Sequence, residues 1–229
     1  MCSAYTKHIL MFGFVITISL FYGCLKNENP VNNDQIVGSG RLVSESLNLG
    51  TYTGIQVTNF AKVFITQDTL ESLRIESDDN IIGYVETSVN SGALVVGLRD
   101  GPYSNVTVNV YTSMKNIKRL ESTGAADFSS TNSIQTDTLT CRITGAANVT
   151  LAGITNYENI EIIGSGNVHN LNLLSSFCRV TISGAGNVEV SAAQQFDATI
   201  AGSGNITYSG NPPVVHQIIT GVGVIQPKH

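Results

Sequence analysis

Charge is what this sequence has least of. Only 13% of its 229 residues are Asp, Glu, Lys or Arg, about half the usual share of a soluble domain. The formal net charge is −5 and no Lys/Arg cluster occurs, so the footprint that grips a phosphate backbone is missing and nucleic acid is excluded as a partner. Tryptophan is absent, proline numbers 5, and no stretch sustains a helical period. The phrases Cys-x-x-Cys, His-x-x-x-His and Gly-x-Ser-x-Gly do not occur, so nothing signals a metal, a cofactor or an activated serine. His169 and His216 stand in outward positions without a partner motif, and Asp78-Asp79-Asn80 reads as a turn between strands rather than a metal or acid cluster.

What is abundant is glycine, 22 residues, and it is spaced. A five-residue phrase recurs as Gly124-Ala125-Ala126-Asp127-Phe128, Gly145-Ala146-Ala147-Asn148-Val149, Gly164-Ser165-Gly166-Asn167-Val168, Gly184-Ala185-Gly186-Asn187-Val188 and Gly202-Ser203-Gly204-Asn205-Ile206, with a degenerate copy from Gly221. The leading glycines are 21, 19, 20, 18 and 19 residues apart, a period that belongs to stacked repeats. Period-two alternation fills the intervals. Ile143, Ile162, Ile182, Ile200 and Ile219 stand two residues before the glycine, and Phe128, Val149, Val168, Val188, Ile206 and Ile225 four after it; these columns face inward. Glu121, Arg142, Glu161, Thr181 and Thr199, three before the glycine, face water.

One apolar-faced strand, a glycine bend and a second strand about every 20 residues predict an all-β fold, a right-handed parallel β-helix (β-solenoid). Its turns lie roughly 4.8 Å apart, and no single turn can bury its own face. The glycines serve the corner, through φ > 0 or close backbone approach. Asp127, Asn148, Asn167, Asn187 and Asn205 form a column there, expected to be a hydrogen-bonded ladder rather than a binding stripe. One Asp in the column is too few for the calcium-binding glycine-rich coils. Further strands are expected at Leu42 to Leu47, Gly54 to Val57, Lys62 to Thr66, Ser72 to Ser77, Ala93 to Leu98 and Val106 to Tyr111. The segment Ile55 to Ile65 overlays Val180 to Val190 with Asn59 in place of the glycine, as a residue tolerant of left-handed backbone, so the first half should continue the same stack.

The N-terminus belongs to export. Lys7 and His8 precede an apolar run from Ile9 to Phe21, long enough for a signal peptide and short of the ~20 residues of a membrane span. Gly23-Cys24 resembles a bacterial lipobox, which makes residues 1–23 a signal peptide, Cys24 a lipidation site and residues 24–35 a polar tether. Residues 36–229 form the folded part, on a chain lipid-anchored to the cell envelope, at the outer membrane. Cys141 and Cys178 fall two turns apart, roughly 9 to 10 Å, beyond the ~7 Å of a bridged pair; they are expected as buried free thiols. In the last turn Ile218, Val222 and Val224 replace the polar residues of other copies, so either the chain itself or a second copy should cover that end.

The phrase Gly-Ser/Ala-Gly-Asn-Val/Ile, with Val37-Gly38-Ser39-Gly40 and Asp79-Asn80, resembles the head GIN domain of the auto-transporter adhesin family, over about residues 36 to 225. The resemblance implies β-helical, secreted or lipid-anchored proteins of Bacteroidetes-type bacteria, with no assigned catalytic residues. A non-enzymatic adhesion module with a glycan or surface-protein ligand is the leading expectation. A β-helical polysaccharide lyase or hydrolase, or a purely structural envelope component, is the alternative.

Overall fold

The alternating runs become strands, and their apolar faces decide how the strands stack. The computed structural model describes residues 35–228; the expected leader, Cys24 and all of the tether but Gln35 lie outside them. The first half holds β1 (Ile36–Val37), β2 (Leu42–Leu47), β3 (Gly54–Val57), β4 (Phe60–Gln67), β5 (Ser72–Asp78), β6 (Val85–Asn90), β7 (Ala93–Leu98), β8 (Tyr103–Ser104) and β9 (Val108–Met114). The second half holds β10 (Arg119–Ser122), β11 (Ala125–Ser130), β12 (Ile134–Ile143), β13 (Ala146–Thr150), β14 (Gly153–Ile162), β15 (Ser165–Ile182), β16 (Ala185–Ile200), β17 (Ser203–Ser209), β18 (Val214–Ile219) and β19 (Val222–Pro227). A 3-10 turn at Ile82–Tyr84 is the only helical piece among the described residues.

From β10 onward every ladder is parallel and in the register of the repeat. Ile55, Leu120, Cys141, Ile160, Val180 and Ala198 stand one above another before the corner. Val63, Phe128, Val149, Val168, Val188, Ile206 and Ile225 do so after it. The described residues form a β-solenoid of about five turns, roughly 20 residues apart. These columns are the core: Ile55, Val63, Ile160, Val168, Val180 and Ile206 are wholly buried. Each fully buried side chain of this size contributes about 1.5–3 kcal/mol relative to exposure. Cys141 and Cys178 are both buried and free.

The first half departs from a uniform parallel coil. The turn β3–β4 does stack against β10–β11, with Asn59 at the corner position, but on its other side lie β7 and β9, which come later in the chain. Beyond those, β6 runs antiparallel to β7, and β5 and β2 extend antiparallel from β9. The cause is connection length: a parallel return needs a long crossover, whereas Ser91 and Gly92 join β6 to β7 directly. Their φ of 49° and 72° give the two positive-φ central residues of a tight hairpin turn.

Asp78-Asp79-Asn80 turns out to fasten the opening segment. Asp78 Oδ1 accepts from the Gly40 N–H and Oδ2 from the Thr107 N–H, both at 2.7 Å. Asn80 accepts from the Ser39 N–H and donates to the Val37 carbonyl at 2.8 Å. Hydrogen bonds from Ser39 and Arg41 hold the Asp79 carboxyl below its usual range.

Candidate functional site

Three surfaces follow from this stack: the glycine corner, the outer face before the corner, and the last turn. At the corner the backbone of each turn runs against the one before it. A Cβ on Gly145 would lie 2.1 Å from the Gly124 carbonyl oxygen, on Gly184 2.0 Å from that of Gly164, and on Gly202 2.0 Å from that of Gly184. Close approach, not φ > 0, therefore dictates these glycines; none of the five leading ones is among the positive-φ residues, and neither is Asn59. The left-handed reason for Asn59 is corrected accordingly. Gly97 follows Val96, the partner of Val57, and a Cβ added there would meet the Thr58 and Asn59 side chains.

Beside the glycines the amides run as one chain. Asn148 Nδ2 donates to Asp127 Oδ1 (2.8 Å), Asn167 to Asn148 (3.1 Å), Asn187 to Asn167 (3.4 Å) and Asn205 to Asn187 (3.1 Å). Asn205 Oδ1 then accepts the Val224 backbone N–H at 3.2 Å. The direction follows from the first member, because the Asp127 side chain carries only oxygens and the Asn148 Nδ2 is the donor. The column thus satisfies itself from turn to turn.

The outer face before the corner carries a different constellation. Tyr157 and Phe177 occupy the same position in adjacent turns and stack with centroids 4.8 Å apart; Tyr157 is 46% exposed. Next to them, Arg179, Asp197 and His216 share a column. Gln195 Nε2 donates to both Asp197 oxygens at 3.0 Å, His216 Nδ1 lies 2.9 Å and Arg179 Nη2 3.3 Å from that carboxylate. Partial burial pushes the Asp197 pKa up, but the bonds from Gln195, His216 and Arg179 together hold it below the usual range. It stays ionised at neutral pH with no proton to give. Tyr157, Asn159, Phe177, Arg179, Gln195 and Asp197 line a depression of about 470 Å³. The two outward histidines do have partners, since His169 Nδ1 sits 2.9 Å from Glu189 Oε2 as well.

Beneath this shelf is a carboxylic acid inside the core. Glu158 takes the column of Leu139, Cys178 and Phe196 and is buried. Its Oε1 accepts from Asn170 Nδ2 at 2.7 Å, and Cys178 Sγ lies 3.8 Å from Oε2. Asn170 Oδ1 is taken by the Leu151 N–H. Burial raises the Glu158 pKa to about 7, against the lowering by Asn170 and Cys178. Burial first, then Glu158, pushes both Cys141 and Cys178 thiols up, which disfavours the thiolate. At the last turn Ile218, Val222 and Val224 are 57%, 74% and 50% exposed.

The shelf and the buried acid were not anticipated, although both left a trace in the sequence. Tyr157 and Phe177 are aromatic at one repeat position. Glu158 and Asn170 each break the inward parity within one turn, the mark of a buried pair that satisfies itself. Among the described residues no cluster of three or more His, Cys, Asp or Glu is placed to hold a metal ion. No described helix is long and apolar enough to cross a membrane.

The comparisons agree with this geometry. The family model described as "Putative auto-transporter adhesin, head GIN domain" matches residues 51–212. No curated protein matches the chain. The crystal structure of a putative adhesin from Bacteroides fragilis is similar, with a TM-score of 0.69, 20% identity, and 84% of this chain and 100% of that one covered. A putative lipid binding protein from Parabacteroides distasonis is similar with a TM-score of 0.55 and 18% identity, over 85% of this chain and 100% of that one. At these identities the likeness to solved structures shows the fold alone.

Proposed function

We infer the function from the premise that this chain belongs to the family of the putative auto-transporter adhesin, head GIN domain, and propose that it is a non-enzymatic binding module of the cell envelope. In this reading Cys24 carries the lipid that fixes the chain to the outer membrane, residues 24–35 hold the solenoid off the lipid surface, and the ligand is a glycan.

The observation that carries the ligand class is the shelf. Most outward columns are Ser, Thr and Asn, and the corner amides are engaged with one another. Around Tyr157 and Phe177 aromatic carbons lie beside planar polar groups, those of Asn159, Arg179, Gln195 and Asp197, in one depression, whereas in the half-buried stacked pair Phe64 and Tyr111 the ring face of Tyr111 is taken by Arg74. A sugar ring offers the matching pair of features, apolar C–H patches and adjacent hydroxyls, and open polar sites of this kind take ligands with a few placed polar groups against an apolar wall. The saturated Asp197 fits orientation rather than proton transfer.

The test is a glycan and surface-protein binding screen on wild type and on Phe177→Ala and Tyr157→Ala. Glycan binding is expected, weakened about tenfold or more by either substitution, with the far-UV circular dichroism unchanged. A glycan bound equally by all three, or a protein ligand in its place, overturns the ligand assignment; turnover of a polysaccharide overturns the non-enzymatic one. For the anchor, labelled palmitate should enter the wild type and be lost entirely in Cys24→Ala. Incorporation that survives the substitution removes Cys24 as the site.

A further inference from the structure

The two ends of the stack are finished differently. At the end formed by the first half, β7 and β9 are covered by the antiparallel strands β6, β5 and β2. Their outermost members, β2 and β6, carry the exposed acids Glu45 and Glu86, and inserted charge is how an edge strand is kept from pairing with another chain. At the other end, among the described residues, β18 and β19 have only β16 and β17 as ladder partners, so each leaves one row of backbone N–H and C=O groups open to further pairing.

The open end is also apolar where the turns below it are polar. Ile218 continues the column of Thr181 and Thr199, Val222 that of Ala185 and Ser203, and Val224 that of Asn187 and Asn205. Ile219 continues the buried column of Ile182 and Ile200 yet is 45% exposed, since none of the described turns lies beyond it. No acidic side chain follows Asp197 in the sequence, and the basic residues after it are His216, Lys228 and His229. The Asn ladder ends here too, with Asn205 capping the Val224 N–H.

We propose that this end is a dimer interface, occupied by the same end of a second copy in a head-to-head, two-fold arrangement. Three features select that occupant. Edge backbone is satisfied by another edge strand, which the copy supplies. Apolar Ile218, Ile219, Val222 and Val224 meet their own kind, with no carboxylate brought opposite another. Head-to-tail stacking would instead set them against the Glu-bearing strands β2 and β6, and would grow an open filament, whereas a self-complementary end closes at two. The ladder's direction reverses across a two-fold axis, so ending it on a valine costs the interface no amide partner.

Multi-angle light scattering on the chain across micromolar concentrations tests this. Wild type should give twice the chain mass and no more. The double substitution Val222→Asp and Val224→Asp puts four carboxylates into the interface and should weaken association at least about 100-fold, giving the monomer mass. Ile218→Lys, at an exposed position one strand away, should do the same, and unchanged circular dichroism and melting verify that each variant is folded. Leu42→Asp, at the covered end, should remain dimeric. A wild type that is monomeric throughout, a mass that climbs past two copies, or a dimer untouched by both Val222→Asp with Val224→Asp and Ile218→Lys overturns the proposal.

Discussion

Gly184→Ala is expected to lower the melting temperature by about 10 °C, from a loss of about 3–5 kcal/mol. The new methyl would lie 2.0 Å from the Gly164 carbonyl oxygen and 2.2 Å from that of Ile163. Both obstacles are backbone, and neither can move alone. The same two turns are joined there by the Ser183 and Gly184 N–H groups on the Ile162 carbonyl and by the Ala185 N–H on the Gly164 carbonyl, at 2.8 to 3.1 Å. To admit the methyl the turns must part, and each lost backbone bond leaves a partly buried group unsatisfied. The corner lies well inside the stack, so fraying of an end cannot shed the strain. Thermal unfolding followed by circular dichroism measures the effect. Ala185→Ser, one residue on, exchanges the two residues that alternate in that column and should change stability by less than about 0.5 kcal/mol. A Gly184→Ala protein that melts within about 2 °C of wild type would refute the close-approach account.

Glu158→Gln should have the opposite sign and depend on pH. The folded protein holds the Glu158 proton up to about pH 7, while the ordinary value is 4.5. Between these values the folded state binds more protons than the unfolded one, so its stability falls as pH rises. The contribution is fully present below about pH 4.5 and lost above about pH 7, a swing on the order of 3 kcal/mol. Glutamine keeps an oxygen for Asn170 Nδ2 and never ionises. The variant should match wild type near pH 4.5 and exceed it by about 2–3 kcal/mol at pH 8, read as the difference between two urea titrations. Asp79 and Asp197, whose pKa values are lowered, act in the other direction and only at more acid pH, so they cancel in the difference. A difference that is flat from pH 4.5 to 8 would show that Glu158 does not titrate in this range.

The columns that could be read in advance were those set by a strict constraint. Parity fixes which side chains face inward, and the overlay of Ile55 to Ile65 on Val180 to Val190 put Ile55 in the column of Leu120; that the two are direct neighbours, with 64 residues between them, is fixed by the fold. Free, buried Cys141 and Cys178 followed from the same column arithmetic. The antiparallel strands were not legible as such. β6 alternates as a strand should, but its partner is chosen by the Ser91-Gly92 turn and by the position of β7 beside β3, and neither repeats. The shelf escaped notice because Tyr157 and Phe177 acquire a role only when Arg179 and Asp197 arrive from neighbouring turns. Val37-Gly38-Ser39-Gly40 and Asp79-Asn80 stood out as a family resemblance; their physical reason is that they bond to each other.

The position of β3–β4 between a later turn and a still later one sets the order in which the chain can assemble. Ala125 must find Phe60 across 65 residues, whereas every subsequent turn has only the repeat length to close. By loop-closure entropy a closure of that length costs about 1 kcal/mol more than closing one repeat, and the pairings of β3 with β7 and of β4 with β9 in the same half are non-local as well. Assembly therefore has its slow commitment in the first half, where β3 and β4 gather β7, β9, β10 and β11, followed by a run of similar short steps toward β19. Changing the number of copies after Gly145 alters the length of the molecule and leaves that commitment untouched, which makes length the cheapest property of this fold to vary.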